Sequence, residues 1–578
     1  MTTDSSDNSL SSKLSPSFRE LFTPKIITIL KEGYDFAKFK ADALAGLTVA
    51  IVALPLSMAI AIACGAKPEQ GLYTAIVGGF IISALGGSRY QIGGPAGAFT
   101  VLIVTTIHRF GYDGFLLATL IAGFILMAIG FLRLGVYIKY IPLPVRVGFT
   151  AGIGIILFAS QIHDLLGLSL TQEEPAAFLP KLKVLFQALP TINLSTLIIT
   201  ALTLAIILGM KKFLPKWPNF LIAVIVTALI TKLLELPVET IGTRFGGVPS
   251  TLPIPSLPQI TWEKISLVFP AAIAIALLGG IESLLSAVVA DSMTGRRHRS
   301  NCELVAQGLA NIVSALFTGL CATGTIARTT TNVRAGAIGP ISGMLHSIFL
   351  LTFMLIAAPL ASSIPLSVLA GILAVVSANM ISFKELRHTL KRSRSESVVL
   401  FSTLLLTVFR DLTEGIAVGV VLGSLIFMHR MSNLVTIETG DDFHIDDIPD
   451  RPRSTTSVQE VQSDPDILVY RFQGPLFFGA TTAVAMALER TGRIPSVVIF
   501  DFSNVPLVDS TGAETLQTFI EGIISEGGHV YAAGASSSVR KVLMKSNLPI
   551  PTNNYFLNLD TARDFSRQYL EQQRQIEE

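Results

Sequence analysis

A chain of 578 residues in which half the side chains are apolar and 15% are charged, with a mean hydropathy of +0.60, carries more hydrophobic surface than a soluble fold can hide. That excludes a water-soluble globular protein and points to a polytopic membrane protein. The formal net charge of +2 leaves no basic face for nucleic acid, and three cysteines without a C-x-x-C pair and eight histidines without ligand spacing suggest neither metal nor cofactor.

Residues 1–17 are polar and Ser-rich and are expected to be disordered. From Ser17 to Lys40, Phe18, Leu21, Phe22, Ile26, Ile27, Leu30 and Phe36 mix with basic residues, which predicts an amphipathic helix on the membrane surface. No signal peptide precedes it, so the first span is expected to act as its own insertion signal. Fourteen apolar segments follow, at 43–64, 70–87, 95–108, 114–132, 141–162, 194–210, 219–236, 265–291, 303–319, 327–339, 341–360, 364–381, 396–409 and 412–429. A cytoplasmic N-terminus places Lys211, Lys212 and Lys216, then Arg296, Arg297 and Arg299, then Lys384, Arg387, Lys391, Arg392 and Arg394 on the cytoplasmic side, and an even number of spans returns the C-terminus there.

Segments 95–108 and 327–339 are too short to cross a bilayer, and each is third in its set of seven. Each emerges from a polar, Gly-rich stretch, GGSRYQIGGPAGAF in one case and TGLCATGTIARTTTNVRAG in the other. Repeats of seven spans must run in opposite senses through the membrane, so this matched pair of defects predicts an inverted repeat. Two half-helix N-termini then face each other near the midplane and form a pocket of positive potential for an anion. Gly93, Gly94, Pro95, Ala96, Gly97, Ala98 and Phe99 open the first short helix, and their small side chains let a ligand reach the amides; Gly-rich helix packing reads the same way.

Within LVFPAAIAIALLGGIESLLSAVVA, Leu267 to Ala290, one ionisable residue stands, Glu282. Gly279 and Ser286 share its helix face. A carboxyl at that depth can carry a proton, join hydroxyls in holding Na⁺, or lock helices together. Arg328, just before Thr329, adds a full positive charge to a half-helix N-terminus, either for an anion or as a counter-ion to Glu282. Pro55 interrupts the first span and frees backbone groups beside Ser57, which adds both to the pocket unless the proline only kinks the helix.

Residues 431–463 read as an acidic linker, and 464–578 as a soluble α/β unit. ILVYRFQ, SVVIFDFS and HVYAAGA form its strands; AVAMALER and AETLQTFIEGIIS form its helices. Ser510 and Thr511 in VDSTG sit at a helix start, where hydroxyls cap the helix or take a regulatory phosphate. No Walker A loop, G-x-S-x-G elbow or H-E-x-x-H supports an enzyme.

The segment PEQGLYTAIVGGFIISALGGSR, Pro68 to Arg89, resembles the signature of the sulfate permease (SulP) family, P-x-Y-G-L-Y with a closing G-G-S-R/K, although Gln70 replaces the usual Tyr. The loop Asp509 to Gly512 resembles the D-S-[ST]-G loop of a STAS domain. The resemblance implies a seven-plus-seven inverted repeat split into core and gate domains at 41–430, behind a 1–40 N-terminal segment. It also implies an elevator-like motion, with the anion held between the spans that carry Pro55, Gly93 to Phe99, Glu282 and Arg328. Sodium-coupled bicarbonate members have Asp and Thr where this chain has Glu282 and Ser286. The run GGIESLL is more similar to bacterial proton-coupled C4-dicarboxylate members.

The expectation is therefore a homodimeric transporter of the bacterial inner membrane that imports a small anion with a proton, Na⁺ being the alternative. A C4-dicarboxylate comes first as substrate, then sulfate or bicarbonate. A membrane-anchored STAS signalling scaffold and a passive anion channel are the readings of other kinds.

Overall fold

The structure, a computed structural model, describes residues 17–438 apart from 137–140, 171, 173, 176, 215–216 and 411, and residues 466–577 apart from 480–495 and 547. The chain divides into two units, Met1–Val420 and Val421–Glu578. The expected N-terminal disorder, the predicted helix 483–490 and most of the expected linker lie outside the described residues.

The stretch 17–40 is not one amphipathic helix. It forms α1 (Phe18–Phe22) and α2 (Lys25–Lys31), and α3 (Phe36–Ala63) already begins at Phe36. Pro24 ends the first helix, because it has no N–H to continue the ladder, and Gly33 at φ 86° turns the chain before Asp35 caps α3 through Lys38 N. The segment also does not stand free. Lys25 is buried and gives its Nζ to Arg297 O at 2.8 Å, Arg299 Nη1 reaches Thr23 O at 2.7 Å, and Arg89 pairs with Glu32.

All fourteen predicted apolar segments contain helix. After α3 come α4 (Pro68–Tyr73), a π turn (Thr74–Gly78) and α5 (Gly79–Leu85), then β1 (Gly93–Gly94) and α6 (Thr100–Phe131), which Gly111 at φ 72° breaks in two. Next are α7 (Leu143–Leu166), α8 (Phe178–Ala188), α9 (Leu194–Phe213), α10 (Asn219–Leu233), α11 (Ile241–Phe245), α12 (Trp262–Thr294) and α13 (Ser300–Leu316). The unit continues through β2 (Thr323–Gly324), α14 (Ile326–Arg334), α15 (Ile341–Ala361), α16 (Leu366–Met380), α17 (Phe383–Arg392), α18 (Arg394–Phe409) and α19 (Leu412–Ser432). Among the described residues, eight helices are long and apolar enough to cross a membrane. Segment 327–339 is helical only to Arg334.

Lipid is as apolar as leucine, so these helices associate through close backbone packing rather than through burial of apolar surface. A Cβ on Gly308 would stand 2.5 Å from Gly123 O, which shows how closely α13 approaches α6. One group of helices packs α6 on α12 and α13 and α3 on α15; a second packs α7 on α16 and α18 and α9 on α10 and α16.

The second unit holds a five-stranded sheet in the order β3 (Thr436–Glu438), β4 (Ile467–Gln473), β5 (Val497–Asn504), β6 (His529–Ala533), β7 (Tyr555–Phe556). Only β3 runs antiparallel to its neighbour, so residues expected in the linker supply an edge strand. Every residue from Val497 to Phe502 is buried, the pattern of a parallel strand covered on both faces. Helices α20 (Ser510–Ser525), α21 (Ser537–Lys545) and α22 (Leu559–Glu577) complete it.

Burial, helped by the Arg299 guanidinium, pushes the Lys25 ammonium down from the ordinary lysine range to about 8. A docked Lys25 sheds its proton near there, whereas an undocked one keeps it to about pH 10. Docking of α2 is therefore weakest, and flat, below pH 8 and strengthens as pH rises from 8 towards 10. Hydrogen exchange of residues 25–31, corrected for intrinsic rates, should show greater protection at pH 9.5 than at pH 7, and Lys25→Met should remove the difference. Equal protection in the wild-type chain contradicts this account.

Candidate functional site

Lipid tolerates non-helical backbone only where its polar groups find partners inside the protein. Here the two extended stretches supply each other's. β1 and β2 pair antiparallel, Gly93 opposite Gly324 and Gly94 opposite Thr323, and Thr325 N continues the ladder to Ile92 O at 3.1 Å. A short 3₁₀ turn (Gly97–Phe99) leads from β1 into α6, and α14 begins two residues after β2. No side chain caps either start, and Thr325 Oγ1 has no hydrogen-bond partner. The first-turn amides of both half-helices thus remain available at the place where they converge.

One side chain from each half crosses the ladder onto a glycine of the other. Arg328 lies over Gly94 so closely that a Cβ there would be 1.9 Å from Nη1, and Gln91 covers Gly324, where a Cβ would be 1.4 Å from Nε2. Arg328 is 2% exposed. Its Nη2 donates to Ser57 Oγ at 3.1 Å and to Pro95 O at 3.3 Å, while Nε and Nη1 have no partner. Ser57 Oγ donates in turn to Ala53 O at 2.7 Å, so the hydroxyl offers its lone pairs to the guanidinium; the helix runs unbroken through Pro55, which does not interrupt it as expected.

Helix α12 lines the other side. Ser283 Oγ accepts from Gly324 N at 3.2 Å and lies 3.2 Å from Thr323 Oγ1; Gln91 Nε2 donates to Ser283 O at 3.1 Å. Ser286 Oγ donates to Thr329 Oγ1 at 3.0 Å, which also accepts from Ile92 N at 3.2 Å. On the same helix stands Glu282, half-buried, with Oε2 enclosed and without a partner. Among the described residues no carboxylate pairs with Arg328, so it is not held as a counter-ion to Glu282. A buried cation with free donors and no anion beside it is costly, and a bound anion would remove that cost.

The structure brings Ser57, Gly94, Pro95, Arg328 and Thr329 together, whereas Pro55 lies buried in the helix that carries Ser57, with no contact to the cluster shown. Ala96, Gly97 and Ala98 form the turn into α6, and Phe99 packs beneath it facing Gly279, whose added Cβ would touch the Phe99 ring at 3.6 Å. Glu282 and Ser286 belong to the flank formed by α12. Ser510 and Thr511 lie apart in the second unit, both exposed. They do not cap α20: Asp509 does, accepting from Gly512 N at 2.7 Å with Oδ1 and from Phe478 N at 3.0 Å with Oδ2, because Ser510 is already the first helical residue. Sequence reasoning missed Gln91, Ser283, Thr323 and Asn332. The one available signal was a lone amide or hydroxyl at membrane depth; Asn332, one turn beyond Arg328, bonds Tyr90 O and Ser342 Oγ, both at 2.9 Å.

Two broken helices that meet start to start beside a buried arginine are the arrangement expected of a multi-pass anion transporter. Residues 39–403 match the sulfate permease family and residues 459–562 the STAS domain, and the chain belongs to the sulfate permease family. It is 38% identical over 520 residues to the putative sulfate transporter YvdB of Bacillus subtilis, covering 89% of this chain and 95% of that one. To the bicarbonate transporter BicA of a Picosynechococcus species it is 32% identical over 529 residues, covering 89% and 92%. The solved transmembrane domain of a cyanobacterial BicA aligns with a TM-score of 0.60 at 31% identity over 66% of this chain and 98% of that one. Murine Slc26a9 in its inward-facing state shares the fold, with a TM-score of 0.81 at 17% identity over 98% and 99%.

Gly94→Ala places a methyl group where Nη1 lies and should displace the guanidinium. We expect sulfate affinity, measured by calorimetry on the solubilised full chain, to fall at least about tenfold, the loss typical of one charge-assisted hydrogen bond. Unchanged affinity in the Gly94→Ala variant would show that Arg328 does not hold the anion.

Proposed function

We propose that this protein imports a small anion together with a proton, by a sliding motion of the core helices against the gate. The observation that carries this reading is Arg328, buried with Nε and Nη1 unpartnered beside two uncapped helix starts. A tetrahedral or planar oxyanion can take paired donors from the guanidinium and further ones from the first-turn amides. Glu282, whose Oε2 is enclosed and unpartnered, is the group that takes the proton, since a neutral carboxyl crosses a low-dielectric barrier far more cheaply than a charged one.

Sulfate and bicarbonate, for which the relatives are named, come ahead of the C4-dicarboxylate suggested by GGIESLL around Glu282. The chain acts in the bacterial inner membrane as a homodimer, with both termini cytoplasmic, and the STAS domain serves dimerisation or regulation, with Ser510 and Thr511 exposed for modification. Sodium coupling would instead need Ser286, Thr329 and nearby carbonyls as ligands, and it is separated by replacing Na⁺ with choline.

In proteoliposomes, Glu282→Gln should abolish accumulation driven by a pH gradient while leaving anion exchange, and Arg328→Ala should raise the KM for sulfate or bicarbonate at least about tenfold, one charge-assisted bond or more. Undiminished pH-driven accumulation by the Glu282→Gln chain would overturn the proton role. An unchanged KM in the Arg328→Ala chain would overturn the pocket.

A further inference from the structure

Helix α17 is tethered on both sides. Ile381 and Ser382 alone join it to the apolar α16, and Ser393 alone joins it to α18, so it lies at the membrane surface where α16 ends and α18 begins. Around its axis it presents three different faces. Thr389, 3% exposed, and the half-buried Leu386 turn towards the protein, where the helix packs on α7 and α18. Next to them run Phe383 and Leu390, seven residues apart on one stripe and both exposed, Phe383 by 69%. The far side carries Lys384, Arg387 and Lys391, three and four residues apart and all exposed.

The end of α9 continues this patch. Lys211 Nζ lies 3.5 Å from Asn379 Oδ1 on α16, Lys212 follows it, and Phe213 and Trp217 at the same helix end are exposed. Among the described residues none of these five cations is paired with a carboxylate, and Glu385 is the one acid on α17.

We propose that α17 and the end of α9 form one binding surface for the headgroups of anionic phospholipids, which fixes the depth at which α16 and α18 sit in the bilayer. A water-soluble partner would neutralise the lysines and the arginine but leave Phe383, Leu390, Phe213 and Trp217 in water. A leaflet of anionic lipid takes both sets. The aromatic and aliphatic side chains enter the boundary of the acyl chains, and the cations beside them meet the phosphates. Nothing in this surface depends on which anion is carried or on which ion drives it.

The test uses the full chain in phosphatidylcholine vesicles with and without phosphatidylglycerol. Spin-labelled phosphatidylglycerol should outcompete spin-labelled phosphatidylcholine for the protein surface. The combined variant Lys384→Gln, Arg387→Gln, Lys391→Gln should lower that preference at least about fivefold, the share of one basic side chain at a charged surface, and Arg387→Lys should leave it as in the wild type. An equal preference in the wild-type and combined-variant chains overturns the assignment. Inorganic phosphate that removes the preference, at an ionic strength where chloride does not, identifies free phosphate as the occupant and overturns it too. A second measurement needs no change of charge. The three native cysteines are buried, so a thiol-reactive fluorophore on a Phe383→Cys chain reports α17 alone. Quenching by brominated acyl chains, stronger when phosphatidylglycerol is present, supports the surface. Quenching by aqueous iodide and not by brominated lipid overturns it.

Discussion

Four residues of paired backbone carry the architecture of the transport unit. In hydrocarbon, the polar groups of Gly93–Gly94 and Thr323–Gly324 could not be left open, and their antiparallel pairing is what allows two helices to be interrupted at all. That pairing points the starts of α6 and α14 at one place. It also fixes which residues must be glycine, since Arg328 lies on Gly94 and Gln91 on Gly324.

The ladder is in turn pinned from several sides. Ser283 and Ser286 on α12 bond Gly324, Thr323 and Thr329, and Asn311 on α13 holds both ends of Ala322, at 2.8 and 2.9 Å. The same face of α13 carries Glu303, fully buried, which accepts from Ser88 N at 3.0 Å and Gln307 Nε2 at 2.9 Å. Residues 23–32 add contacts to Gly86, Arg89, Arg297 and Arg299 at the ends of α5, α12 and α13. A body tied in this way can move as a unit, which an elevator-like mechanism requires. Among the described buried side chains around the ladder, Gln91 Oε1, Thr325 Oγ1, Asn332 Oδ1, Glu282 Oε2 and Arg328 Nε and Nη1 lack hydrogen-bond partners, and of these only Glu282 and Arg328 can carry a charge.

Much of this was legible in the sequence. Hydropathy located a helix in each of the fourteen segments, and the shortness of 95–108 and 327–339, with glycines before each, revealed the broken pair. What sequence could not supply was contact between residues far apart in the chain. That Arg328 crosses to Gly94 rather than pairing with Glu282 depends on how β1 and β2 align, and no periodicity encodes that. Gln91 and Ser283 are single polar residues in apolar surroundings, indistinguishable by pattern from packing. At the N-terminus the signals were present and outweighed: Pro24 and Gly33 break a stretch whose apolar residues suggested one helix. The edge strand β3 is three residues long and follows directly on α19, too little for a strand pattern to register.

The central claim is that an anion completes the unfilled donors of Arg328. A structure of the full-length protein determined with sulfate tests it most directly, because sulfate scatters strongly. The account predicts density within hydrogen-bonding distance of Nε and Nη1, between the starts of α6 and α14. Sulfate bound elsewhere, or an Arg328 turned away from Gly94 to pair with Glu282, would contradict it.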